Sequence, residues 1–104
     1  MATYEVTSIV EPSLIEAYEH YMREHHIPAI LATGCFQGAV FTRATRGRYR
    51  MCYEARSDEE LQRYFTTFAS KLREEFTSSF PNGVALSREV WIAIQSWDTS
   101  RAAD

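Results

Sequence analysis

Residues 3–10, TYEVTSIV, alternate roughly between apolar and polar and are rich in β-branched and aromatic side chains, which predicts a strand. Glu11-Pro12-Ser13 interrupts it. Ser13 is placed to cap a helix, with Glu16 completing a capping box. Leu14, Ala17, Tyr18, Tyr21, Met22 and His25 then recur at helical spacing and form one apolar stripe. Glu16, Glu19, Arg23 and Glu24 fall on the other side. Pro28 has no backbone N–H and disfavours a helical Ile27, so this helix should end or kink near His26. A short turn over PAILAT follows, closed by Gly34.

Residues 35–45 and 48–56 read as two strands joined by a tight turn at Arg46-Gly47. Ser57 opens a second helix through a capping box with Glu60, and its stripe of Leu61, Tyr64, Phe65, Phe68, Leu72 and Phe76 is regular. Pro81-Asn82-Gly83 turns the chain into a last strand, VALSREVWIAIQSW. The order β-α-β-β-α-β predicts an α+β ferredoxin-like plait: a four-stranded antiparallel sheet with two helices on one face. Residues 1–98 form the single domain, and 99–104 are expected to be a mobile tail.

A two-residue turn in the hairpin places Arg43 opposite Arg50, Phe41 opposite Cys52 and Ala39 opposite Glu54. The face without helices then carries Glu5, Thr7, Ile9, Gln37, Phe41, Arg43, Arg50, Cys52, Glu54, Glu89, Trp91 and Gln95. It is too aromatic to be fully solvated and too charged for a dry core. Two copies facing each other around a partly hydrated interior satisfy both demands, which predicts a homodimer through the uncovered face with a cavity inside.

Composition narrows the function classes. The 104 residues are 45% hydrophobic and 24% charged with a net charge of −3, which argues against a nucleic-acid partner. The arginines at the hairpin do not restore that partner, because RGRYRMCY lacks the aromatic pair of an RNA-binding strand. No apolar run approaches membrane-spanning length and MATYEVT has no signal-peptide character, so a cytoplasmic location without membrane contact is expected. Cys35 and Cys52 are expected to be free thiols.

The candidate chemistry is sparse. His26 is either a cap on the last carbonyls of the first helix or a general acid/base at the barrel mouth. His25, on the stripe, reads as a packed histidine. Glu16, His20 and Glu24 share a helix face, yet no further ligand joins them, so no metal is expected. Arg50, Glu54, Glu89 and Trp91 form the candidate ligand-binding set, with Trp91 as platform and Arg50 as charge partner.

The segments Tyr21-Met22, His26-Ile27-Pro28, Thr33-Gly34-Cys35-Phe36 and Leu72-Arg73-x-Glu75-Phe76 resemble a bacterial family of small proteins of unknown function. That resemblance spans about residues 3–95, with Tyr21 where the family has tryptophan, and implies a dimeric α+β barrel. More distantly, His25-His26-Ile27-Pro28 is similar to the Lys-His-x-Pro segment of EthD-like dimeric-barrel proteins, which implies a histidine bordering the cavity at His26. The reading that follows is a homodimeric barrel that binds a small polar or aromatic molecule, or converts it without a cofactor. The alternative is a non-catalytic dimerisation or protein-interaction module.

Overall fold

A computed structural model describes residues 1–98. The tail expected at 99–104 lies outside the described residues. The chain runs β1 (Ala2–Val10), a 3-10 turn at Pro12–Leu14, α1 (Ile15–Tyr21), a π-helical turn (Met22–His26), α2 (Ile27–Leu31), β2 (Gly38–Arg43), β3 (Arg48–Ala55), α3 (Asp58–Thr67), α4 (Ala69–Ser79) and β4 (Val84–Ile92). The strands form one sheet in the order β2-β3-β1-β4, every neighbouring pair antiparallel. This is the expected ferredoxin-like plait, with β2 and β4 at its edges.

The alternation in β1 sets the two faces. Tyr4, Val6, Ser8 and Val10 are buried beneath the helices, while Thr3, Glu5, Thr7 and Ile9 point away from them. The helical layer presses Tyr18, Met22, Ile30, Leu61, Tyr64, Leu72 and Phe76 onto Tyr4, Tyr49, Met51 and Tyr53. Many of these contacts are ring on ring: Tyr4 meets Phe65 edge-on at 5.1 Å, and Tyr18 meets Tyr49 at 5.1 Å. Ser8 is the buried polar residue, and its hydroxyl bonds Tyr18 Oη at 2.7 Å, so the core carries no orphaned hydroxyl there.

The last strand ends at Ile92, short of the expected Trp97, so Gln95 lies beyond the sheet; four further departures concern turns and helices. First, the hairpin has a three-residue loop. Arg48 N–H donates to Thr45 O at 3.0 Å, Ala44 N–H donates to Arg48 O at 3.0 Å, and Gly47 sits at φ +82°. That is a turn closed by a left-handed glycine, which shifts β2 by one residue so that Phe41 faces Met51 and Arg43 faces Tyr49. Phe41 and Arg43 therefore lie on the helix side, and Val40 and Thr42 take their place on the open face. Gly47 is fixed further by β1, since its carbonyl accepts from Val10 N–H at 2.7 Å.

Second, Pro28 does not end the first helix. The residue before it stays helical (Ile27 φ −63°, ψ −46°), and Ile27 N–H reaches back five residues to Met22 O. An α-turn would drive the proline ring into the carbonyl of Glu24; the wider π-turn relieves that collision and lets the run continue to Leu31. Gly34 then closes it as expected, at φ +77°. Third, Ser13 caps nothing: it lies in the 3-10 turn, and α1 begins with no side-chain cap. Fourth, the second helix breaks into α3 and α4 at Phe68, where φ is −119°. Just ahead of the break, Thr66 Oγ1 donates to Gln62 O at 3.0 Å, a back-bond that bends helices. The Ser57 cap is present, accepting from Glu60 N–H at 3.2 Å, while the Glu60 carboxylate turns to Arg63 instead of completing the box.

Candidate functional site

The strand registers line up the open face in rows that cross the sheet. Gly38, Glu54, Thr3 and Trp91 form one row; Val40, Cys52, Glu5 and Glu89 the next; then Thr42, Arg50, Thr7 and Ser87; and then Arg48, Ile9 and Ala85. The structure thus places Arg50, Glu54, Glu89 and Trp91 on the face expected of them, but spread over three rows. Glu54 accepts from Thr3 Oγ1 at 2.8 Å, and Thr7 bonds Ser87 at 2.7 Å. Glu5 stands directly opposite Glu89, a like-charge pair, and neither makes an ion pair with Arg50 among the described residues. Ile9, Val40 and Trp91 are 64%, 59% and 53% exposed on this same face.

The two histidines of the π-turn part company. His25 is exposed, with only ring contacts to His20 and Tyr21, so it is not the packed histidine its place on the stripe predicts. His26 turns inward. Its ring stacks on Tyr21 at 5.9 Å and meets Phe76 at 5.3 Å. Since the helix runs on through it, His26 caps no carbonyls, and it lies between the layers, across the sheet from the open face.

There His26 lines a cavity of about 30 Å³, together with Tyr4, Tyr53, Tyr64, Arg73 and Arg88. Each polar group arrives by a different element. The π-turn supplies His26, α4 supplies Arg73, and the inward face of β4 supplies Arg88, opposite Val6. Arg73 donates to Tyr4 Oη at 3.3 Å. The Tyr53 and Tyr64 hydroxyls have no hydrogen-bond partner among the described residues, yet no buried polar atom there is left unsatisfied, so both open onto the cavity. Burial pushes both phenols up, which keeps them protonated donors. Burial, and then the Arg88 charge, push His26 down from 6.5 to about 4, so its imidazole is neutral at pH 7.

Arg73 and Arg88 are both exposed and form the mouth of this cavity. Beside Arg88 on the same face of β4, Val90 and Ile92 are 44% and 60% exposed, because the helical layer stops short of the edge strand. The volume suits one head group of water or carboxylate size, with an apolar ledge outside it. The sequence carries one signal for this site: Arg88 interrupts an otherwise apolar inward series of Leu86, Val90 and Ile92. Among the described residues no group of three potential metal ligands exists, and Glu16, His20 and Glu24 are all exposed. Both cysteines are free thiols. No helix among the described residues is long and apolar enough to cross a membrane.

A model of one protein family matches residues 1–93, from the start of β1 to the end of β4. The chain belongs to the DUF4286 family, a domain of unknown function. No curated protein matches it. Solved structures similar to this DUF4286 member share its fold at low identity. A candidate antibiotic biosynthesis monooxygenase from Deinococcus radiodurans is 8% identical with a TM-score of 0.71, over 94% of this chain and 97% of that one. A dimeric ferredoxin-like protein from an uncultured marine organism is 11% identical with a TM-score of 0.69, over 94% and 99%. A candidate antibiotic biosynthesis monooxygenase from Nitrosomonas europaea is 12% identical with a TM-score of 0.65, over 91% and 100%.

Proposed function

We propose that this DUF4286 protein is a homodimer, packed through the open sheet face, that binds a small organic acid at the mouth between α4 and β4. The observation that carries the ligand reading is Arg88. A strand position facing the helices normally holds an apolar residue, whereas Arg88 stands exposed at the cavity mouth with no ion pair among the described residues, where its guanidinium can meet an anion. Arg73 and the free tyrosine hydroxyls converge on the same space, and every one of these groups donates hydrogen bonds. The neutral His26 imidazole adds one further donor or acceptor. A carboxylate head fits this set, and the body of the acid would cover Val90 and Ile92. The reading is of binding, and no reaction is assigned.

The homodimer reading rests on Ile9, Val40 and Trp91. Fully burying such a side chain contributes roughly 1.5–3 kcal/mol, and about half of each remains available on this face. The dimeric state of the marine ferredoxin-like relative supports it. Arg50, Glu54, Glu89 and Trp91 then serve the contact between copies.

Calorimetric titration with a panel of short aliphatic and aromatic acids, benzoate among them, tests the ligand reading against benzamide and benzylamine as uncharged and cationic mimics. Benzoate or a panel acid should bind at least about tenfold more tightly than its amide, and Arg88→Gln should remove that preference. Equal binding of acid and amide, or no binding by any acid, would overturn it.

A further inference from the structure

The open face divides its charge along the strands. Glu54, Glu5 and Glu89 occupy the two rows nearest the start of β1, and Arg50 and Arg48 occupy the two rows nearest its end. Arg56 lies one residue beyond β3, past the acidic rows and outside the paired face. All five charges are unpaired among the described residues except for the Thr3–Glu54 hydrogen bond. A face with three carboxylates at one end and two guanidinium groups at the other is self-complementary in one orientation only.

Two copies whose sheets pack aligned can meet face to face about a two-fold axis in either of two directions. With the axis along the strands, each row meets the same row of the partner, and six carboxylates gather at one end. With the axis across the strands, the rows reverse and the columns stay, so that Glu54 lies over the partner's Arg48 and the row of Glu5 and Glu89 lies over the row of the partner's Arg50, with Glu5 one strand away from it. Unpaired like charges brought into an interface oppose association, and opposite charges steer it. We infer that the second copy docks with its strands reversed across the contact, the acidic end of each sheet over the basic end of the other. This rests on the homodimer proposed above and names how its partner sits.

The reversed packing keeps the strand columns in place, so β1 faces the partner's β1 and Thr3 approaches the partner's Ile9. The other packing brings Thr3 to the partner's Glu54. Packed sheets stand about 10 Å apart, within reach of a short bismaleimide. In a Cys52→Ser background, Thr3→Cys protein mixed with Ile9→Cys protein should give a covalent dimer at high yield, and Thr3→Cys protein mixed with Glu54→Cys protein should not. The unmodified protein supplies a second readout that no substitution can spoil. Its dimer dissociation constant should rise several-fold between about 0.05 and about 0.5 M NaCl as attractive pairs are screened. Cross-linking through the Thr3 and Glu54 positions, or a dimer that tightens with salt, would overturn the reversed packing while leaving the homodimer standing. A protein that sediments as a monomer at all salt concentrations would overturn both.

Discussion

Lowering the pH should weaken the fold through His26 before any carboxylate contributes. The imidazole is held at about 4 in the folded chain against an ordinary 6.5, with burial the larger cause and Arg88 the smaller. Between those values the unfolded chain takes up a proton that the folded chain refuses. The stability due to neutral His26 is therefore complete above pH 6.5, is lost as pH falls towards 4, and changes no further below that. At about 1.4 kcal/mol per unit the full loss is about 3 kcal/mol, and the part between pH 7 and pH 5 amounts to about 2 kcal/mol. Glu19 acts in the same direction but lower down, because its carboxylate is held below 4.5, first by the Tyr49 hydroxyl and then by Arg43 and Arg23. The window from pH 7 to 5 thus isolates the histidine. Urea denaturation followed by circular dichroism at several pH values, on the native sequence and on His26→Phe, separates its contribution by difference. The phenylalanine keeps the ring between Tyr21 and Phe76 and removes the titration. The native protein should lose about 2 kcal/mol more than the variant across the window. Parallel profiles would refute a buried, neutral His26.

Three further outcomes follow from local geometry. Gly47→Ala should cost about 1–3 kcal/mol of unfolding free energy, because the backbone is left-handed there and a Cβ would stand 2.7 Å from Val10 O. Tyr18→Phe strips the buried Ser8 hydroxyl of its partner and should cost about 1–3 kcal/mol, most of it recovered by combining it with Ser8→Ala. Ser57→Ala removes the cap on α3 and should cost about 1 kcal/mol, measured by the same denaturation, whereas Ser13→Ala should cost almost nothing because Ser13 makes no cap.

The fold was legible because its signals were local and redundant. The alternation in TYEVTSIV demanded a strand, the Ser57 cap and the stripe from Leu61 to Phe76 demanded helix (delivered as α3 and α4), and β1, β3 and β4 fell on their expected faces. What went astray turned on one-residue choices. Arg46-Gly47 suits a two-residue or a three-residue hairpin loop, and periodicity cannot distinguish them; the hydrogen bond from Val10 to Gly47 decides it from another strand. That single step moved Phe41 and Arg43 off the open face. The π-turn misled in the same way, since one extra residue in a helical turn rotates every later side chain, exchanging the expected places of His25 and His26. The cavity was hidden for a different reason. Its groups come from the π-turn, β1, β3, α3, α4 and β4, and only the folded topology brings them together.

In the proposed function, a second copy takes the sheet face and an acid takes the helix-side mouth. Amide chemical-shift mapping of the dimer during titration with benzoate, or with whichever panel acid binds most tightly, tests that division directly. The shifts should centre on His26, Arg73, Arg88 and Val90 and leave Arg50, Glu54 and the Trp91 indole unmoved. Shifts centred on Trp91 and Arg50 would place the ligand between the sheets and contradict the account.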